Sequence, residues 1–170
     1  MGRDVRRVPP TWEHPKDRSG NYVPLHDNFI KDYRCWHDER IMWEQGMVWS
    51  HMKEKWVTKQ EYDVHSETYE DYVGDCPGPA EYMPDWSPAL RTHYQMYETC
   101  SEGTPISPVM DNPEALAHWL ADNGASSFGP RTASYEQWLA CITDGGACSA
   151  VIDTAHGLIS GVEAMHDSAD

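Results

Sequence analysis

Positive charge is nearly absent beyond residue 60, where Arg91 and Arg131 stand alone against 19 acidic residues. Such a field repels nucleic acid and attracts basic surfaces, so direct nucleic-acid binding by this region is not expected. No apolar run approaches the roughly 20 residues of a membrane helix, so no membrane association is expected either. Met1-Gly2-Arg3-Asp4-Val5-Arg6-Arg7 has no apolar stretch behind it, which argues against a secretory signal. Arg6 occupies the position where N-myristoylation needs Ser or Thr. The expectation is a soluble, cytosolic protein. HExxH, GxSxG, the Walker A loop and GxGxxG are all missing, which removes the commonest hydrolase and nucleotide-binding readings. The five cysteines, Cys35, Cys76, Cys100, Cys141 and Cys148, include no CxxC pair, and their odd number in a cytosolic setting predicts reduced thiols. Cys141 and Cys148 would meet only if the loop between them folded back.

Aromatic residues are abundant, with eight Trp and nine Tyr but two Phe. The core is therefore expected to be aromatic rather than aliphatic, with many rings half-buried and their OH or NH groups at the surface. At 170 residues the chain suits one domain, with room for an appended N-terminal segment. The net charge of −15 is unevenly spread: residues 1–60 hold 11 basic and 9 acidic side chains and are near neutral. An acidic surface of this kind serves solubility or addresses a basic partner.

Local signals divide the chain. Arg3 to Val8 reads as a short strand anchored by Val5 and Val8 and ended by Pro9-Pro10. Thr11 to Pro24 is loop, with Trp12 and Tyr22 as anchors. Asp27 is placed to cap a helix carrying Phe29, Ile30, Tyr33, Trp36, Met42 and Trp43, which Gly46 ends. Met47 to Val57 is ambiguous, with Val48-Trp49 and Trp56-Val57 as strands or the whole as continuing helix. Thr58-Lys59-Gln60-Glu61 and Thr68-Tyr69-Glu70-Asp71 have capping-box form. Prolines at 77, 79, 84 and 88 frame an irregular middle around Trp86. Tyr94 to Thr99 reads as a strand, Ser101 to Thr104 as a turn, and Pro105 and Pro108 restrict the returning segment to an edge strand or coil. Asn112-Pro113-Glu114 is a strong helix start, with Leu116, Trp119 and Leu120 on one stripe and Asn123-Gly124 as the stop. Ser134 to Gln137 starts a second helix that buries Trp138, Leu139 and Ile142, and Gly145-Gly146 ends it. Cys148–Ile152 and Leu158–Val162 suggest a terminal hairpin with a five-residue loop, followed by a fraying tail.

Several of these stretches carry a resemblance. Asp75-Cys76-Pro77, Glu81 to Trp86, Thr92 to Thr99, Ser101-Glu102-Gly103-Thr104-Pro105-Ile106-Ser107-Pro108, Pro113 to Asn123 and Thr132 to Leu139 together resemble a family of small tailed-bacteriophage and prophage proteins. The opening Met1 to Pro9 is similar to the same proteins. The resemblance implies a phage-borne accessory protein and no particular chemistry. Longer members carry a CPxCxGxG element resembling a zinc ribbon. Here Cys76-Pro77-Gly78-Pro79 lacks its second cysteine, so that site is not carried over.

Chemistry by other routes is thin. Zinc would have to recruit Cys35, His37, His51, His65 or Cys76, and Cys35 and His37 diverge on a helix. Asp71, Asp75, Glu81 and Asp85 are dense but lack EF-hand spacing, which favours a solvated face over a cation site. Ser101 or Ser107 near His93 suits turn roles better than a nucleophile and base, and His118 reads as a partly exposed surface residue. No cofactor is expected, with a structural zinc domain or a metal-assisted enzyme as the alternatives. The fold expected is α+β: a small antiparallel sheet, two to four short helices and a Pro-rich irregular middle. Residues 1–75 form an N-terminal segment, 76–93 a connector and 94–170 an acidic α+β region packing with 1–75. The function expected is non-catalytic binding of a host protein with a basic surface, in the cytoplasm of an infected bacterium, in its sharpest form as a nucleic-acid mimic. Tyr97, Glu98, Glu102, Asp111, Glu114, Asp85 and Trp86 are the candidate contact surface. The same acids disfavour an anion at the Asn112 helix start.

Overall fold

The computed structural model describes residues 2–99, 103–147, 149–153 and 157–165. Strand β1 (Arg3–Val8) is followed by helix α1 (Phe29–Glu44), strands β2 (Met47–Ser50) and β3 (Lys55–Thr58), and helix α2 (Tyr69–Val73). A 3₁₀ turn at Pro79–Glu81 leads to strands β4 (His93–Glu98) and β5 (Thr104–Pro105). Helices α3 (Pro113–Asp122) and α4 (Tyr135–Asp144), strands β6 (Gly146–Ala147), β7 (Ala150–Asp153) and β8 (Gly157–Ser160), and helix α5 (Gly161–Ala164) complete the order. The class is α+β, with antiparallel sheets and five α-helices among the described residues. No helix among them is long and apolar enough to cross a membrane.

The chain forms two compact units, one of residues 1–25 with 85–170 and one of residues 26–84. This division differs from the expected one at 75 and 94, and the cause is β1. That strand lies inside a four-stranded sheet of order β5-β4-β1-β6, pairing with β4 from Arg3↔Glu98 to Val8↔His93 and with β6 at Arg3↔Ala147. The first 25 residues thus belong with the C-terminal region. Those residues add a net +2 to it, while the acidic stretch 61–84 falls in the other unit, so the charge asymmetry along the sequence disappears: the two units hold net charges of −8 and −7.

In the larger unit the basic side chains of β1 are absorbed by carbonyls and rings. Arg3 is buried and donates from Nε to Ser126 O (2.8 Å) and from an Nη to Ser126 Oγ (3.2 Å). Arg6 and Arg7 lie 4.3 and 4.4 Å from the ring centres of Tyr97 and Tyr94, a favourable cation–π placement. β5 is the edge strand that Pro105 demands, and beside it Ser107 Oγ accepts from Met96 N (2.9 Å). The caps form as their sequences predict. Asn112 Oδ1 accepts from Ala115 N (2.8 Å) ahead of Pro113, and Ser134 and Gln137 close a reciprocal box. Helices α3 and α4 place Leu116, Ala117, Leu120, Trp138, Cys141 and Ile142 against Met96 and Val162. This core is mainly aliphatic, contrary to the aromatic core expected. Leu139 is only half-buried, and Cys141 faces inward in its place.

The terminal hairpin β7–β8 forms, but its second strand stops at Ser160 rather than reaching Val162. Ser160 Oγ accepts from Glu163 N (3.1 Å) and Glu163 carboxylate accepts from Ser160 N (2.8 Å), a capping box that turns the chain into α5 and buries Val162. Most of the hairpin loop and the tail expected to fray lie outside the described residues, as do Cys100, Ser101, Glu102 and Cys148.

The smaller unit has the aromatic core, with Trp36, Trp43 and Tyr69 buried among Val48 and Val57. Helix α1 is capped not by Asp27 but at Asn28, whose φ of 66° is the left-handed conformation that Asn tolerates. Only Trp36 and Trp43 of its expected apolar face are buried; Ile30 and Tyr33 are exposed. The ambiguous stretch resolves as a hairpin, β2 against β3, with Val48 opposite Val57 and Trp49 opposite Trp56. Thr58 caps no helix: Glu61 N does donate to Thr58 Oγ1 (3.1 Å), but the chain turns away at Asp63, whose φ is 56°. Thr68 and Asp71 do form their box, which opens α2.

Candidate ligand cleft and the acidic surface

Helices α1 and α2 and the β2–β3 hairpin line a cleft of about 350 Å³ in the 26–84 unit. Its lining comes from α1 (Glu39, Trp43), the hairpin (Met47, Val48, Trp49, His51, Trp56) and α2 (Tyr69, Tyr72, Val73). The volume falls in the range of small-ligand sites, and the mix of many rings with few polar groups is their usual chemistry. The hairpin register produces one wall. Paired residues share a face of the sheet, so Trp49 and Trp56 meet with ring centres 5.5 Å apart and planes at 72°. Both are half-buried and keep surface open to the cleft. Capping by Thr68 fixes α2 and thereby Tyr69 and Tyr72. The Tyr69 ring stands 5.8 Å from Trp43 at 56°, and Tyr72 stacks on Trp43 at 5.0 Å and 24°.

Glu39 is the one carboxylate in the lining, and both its oxygens are engaged. Tyr69 OH donates to Oε2 (2.8 Å) and Cys35 Sγ donates to Oε1 (3.2 Å). Burial, reinforced by the Glu39 hydrogen bond, holds the Tyr69 hydroxyl protonated far above its ordinary range. The Glu39 bond, with a smaller contribution from burial, raises the Cys35 thiol. The cluster therefore carries one negative charge, fixed in place by two donors. Cations of this unit already lie against its rings: Lys59 Nζ is 3.5 Å from the centre of Trp43, and the Arg40 guanidinium 5.4 Å from Trp36.

Among the described residues, the candidate surface of the larger unit is only partly exposed. Tyr97 is fully buried. Its hydroxyl accepts from Trp12 Nε1 (3.0 Å), donates to Gln95 Oε1 (2.8 Å) and contacts His14 Nδ1 (3.2 Å), so it serves the core and not a contact face. Burial, opposed by the bond to Val23 and aided by Arg6, holds His14 below its usual value. Trp86 is half-buried against Trp12, with ring centres 4.7 Å apart. Asp111 and Glu114 are exposed near the start of β4, because Met110 bridges to Tyr94 through reciprocal hydrogen bonds of 2.8 Å. Glu98 is half-buried four residues further along the strand, about 13 Å away at 3.3 Å per residue. Asp85 is exposed, and Glu102 lies outside the described residues.

The zinc candidates are scattered. Cys76 Sγ lies 3.9 Å from His37 Nε2, while Cys35 turns to Glu39, His51 lines the cleft and His65 pairs with Asp63. Asp71 is committed to its helix cap, and Glu81 accepts from Gly78 N (3.4 Å). Among the described residues no group of three or more His, Cys, Asp or Glu side chains is placed to hold a metal ion. His118 is exposed and stacks on Tyr135 at 4.0 Å. The residues missed from sequence are Glu39, Trp43, Trp49, Trp56, Tyr69 and Tyr72. Their signal was the repeated Trp beside Val at 48–49 and 56–57, which a hairpin pairs. No protein-family model, no curated protein and no solved structure matches this chain.

Proposed function

We propose that this chain is a non-catalytic binding protein whose 26–84 unit receives a cationic group of a partner through the aromatic cleft. The observation that carries this is the cleft lining: Trp43, Trp49, Trp56, Tyr69 and Tyr72 together with one hydrogen-bonded carboxylate, Glu39, in a unit of net charge −7. With the phage resemblance, the partner proposed is a host protein with a basic surface, met in the cytoplasm of an infected bacterium. A second reading, a nucleic-acid mimic acting against a host defence or replication protein, draws support from the net −8 of the larger unit and the exposed Asp85, Asp111 and Glu114.

The test immobilises the full chain and captures partners from host lysate, with Trp49→Ala and a quadruple neutralised variant at Glu98, Glu102, Asp111 and Glu114 as parallel baits. A basic protein held by wild type and by the neutralised bait but lost from Trp49→Ala supports the cleft. Loss only from the neutralised bait, with steep salt sensitivity, supports the mimic. Equal retention by all three baits overturns both.

A further inference from the structure

The geometry points to a proton-controlled junction at Tyr97: the charge state of His14 decides where the phenol hydrogen goes, and so couples the loop at 11–24 to Ser107 beside the edge strand. The junction lies in the larger unit and is independent of the cleft and of any partner. His14, Gln95 and Tyr97 are buried around one phenol oxygen, where an acceptor left without a hydrogen is costly. Two carbonyl oxygens, which carry no hydrogen of their own, fix the roles of the groups around it. The Val23 carbonyl oxygen lies 2.6 Å from His14 Nε2, so Nε2 holds a hydrogen in either charge state, and in the neutral ring Nδ1 is the acceptor. The Ser107 carbonyl oxygen accepts from Gln95 Nε2 (2.8 Å), which orients the amide and turns Oε1 towards Tyr97.

With His14 neutral, two acceptors face one phenol hydrogen: Gln95 Oε1 at 2.8 Å and His14 Nδ1 at 3.2 Å. Trp12 Nε1, 3.0 Å from the phenol oxygen, is a donor only and cannot relieve the contest. A proton on Nδ1 ends it. Nδ1–H then donates to the phenol oxygen, which accepts from both Trp12 and His14 and gives its own hydrogen to Gln95 alone. The chain Val23–His14–Tyr97–Gln95–Ser107 thereby acquires one direction, and Ser107 in turn accepts from Met96 N (2.9 Å). The neighbouring charges set where this happens. The Arg6 guanidinium stands 4.3 Å over the Tyr97 ring and pairs with Asp4 (3.3 Å), while Tyr22, edge-on to His14 at 5.5 Å, carries Lys16 on its ring. Burial acts most strongly on His14, the Val23 bond opposes it and Arg6 adds to it, so the ring takes its proton below its ordinary 6.5. The junction therefore turns at acid pH.

The test is an NMR titration of the full chain from about pH 7.5 to about pH 5, the span in which histidine changes charge. At the upper end the His14 ring should show the tautomer with its hydrogen on Nε2. As the ring charges, the Trp12 indole hydrogen and the Gln95 side-chain amide hydrogens should shift with it along one curve, whose midpoint lies below 6.5. Tyr97→Phe removes the junction oxygen and keeps the ring. In that variant the Gln95 amide should lose its pH-dependent shift, and the His14 midpoint should fall further because Nδ1–H has lost its acceptor. His14→Gln should flatten the Trp12 and Gln95 signals together. In the wild-type chain alone, a neutral ring with its hydrogen on Nδ1, Trp12 and Gln95 signals that stay flat while His14 titrates, or unfolding before His14 charges would each overturn the inference, so it stays open to refutation even if a variant fails to fold. A Gln95 shift that survives Tyr97→Phe would overturn it as well.

Discussion

Gly103 and Gly124 have nearly the same backbone conformation, φ of +56° and +59°, but different surroundings, which makes them a matched pair. An added Cβ at Gly103 would overlap the Leu25 carbonyl oxygen and lie 2.9 Å from the Leu25 carbonyl carbon. At Gly124 it would meet only Thr132 Cγ2, at 3.9 Å. The left-handed conformation costs an Ala about 1–2 kcal/mol at either site. At Gly103 the overlap has to be relieved by moving the Leu25 backbone, whose carbonyl accepts a 3.0 Å hydrogen bond from an Arg6 Nη and whose N–H donates at 3.4 Å to Gly103 O. Losing the charged-donor bond costs about 1.5–3 kcal/mol, and Leu25, buried in the native unit, would surrender part of a burial worth about 1.5–3 kcal/mol. Gly103→Ala should therefore destabilise the larger unit by at least about 2 kcal/mol more than Gly124→Ala. Asn substitutions sharpen the comparison: Asn eases the backbone cost at both sites but keeps the clash at 103. Hydrogen exchange of peptides from α3 and α4 across a urea series reads this unit separately from residues 26–84. Equal destabilisation at the two positions, within about 0.5 kcal/mol, would refute the packing of Gly103 on Leu25.

Further predictions follow from caps and titrating groups. Asn112→Ala and Ser134→Ala should each cost about 1 kcal/mol in the same exchange assay, and no loss would mean that the bond from Ala115 N or Gln137 N contributes nothing. His14 lies below its usual value of 6.5 in the folded chain. As pH falls through that value, the unfolded chain gains a proton that the folded chain resists, so the larger unit should lose stability towards acid. His14→Gln should flatten that dependence between pH 7.5 and pH 5; an unchanged slope would place its origin elsewhere. Cys35 should alkylate faster than Cys141, whose thiol burial pushes up to about 12. Glu39→Gln should speed Cys35 labelling at pH 8 by releasing the thiol from its carboxylate partner; an unchanged rate would break the Cys35–Glu39–Tyr69 cluster.

Cap chemistry was legible because it is local. Asn112, Ser134 and Thr68 each satisfy amides within three residues, and their helices begin where the sequence indicates. The same locality misled at Thr58, where the bond to Glu61 N forms but the chain turns at Asp63, and at Ser160, where an apolar run hid a capping box. Strand partners are not local. β1 pairs about 90 residues away with β4, which reassigns the first 25 residues to the larger unit. Tyr97 illustrates the same limit: beside acidic residues it reads as surface, yet the arrival of β1 and Trp12 buries it. The cleft could not be read as a site, because its lining spans residues 39 to 73 on four elements and depends on the register that sets Trp49 against Trp56.

The cleft as the binding site is tested most directly by the indole N–H signals of the eight tryptophans, recorded while a lysine-rich peptide is added to the full chain. The signals of Trp43, Trp49 and Trp56 should move together and saturate, while those of Trp12, Trp86, Trp119 and Trp138 stay fixed. No movement at millimolar peptide, or movement confined to tryptophans outside residues 26–84, would contradict the account.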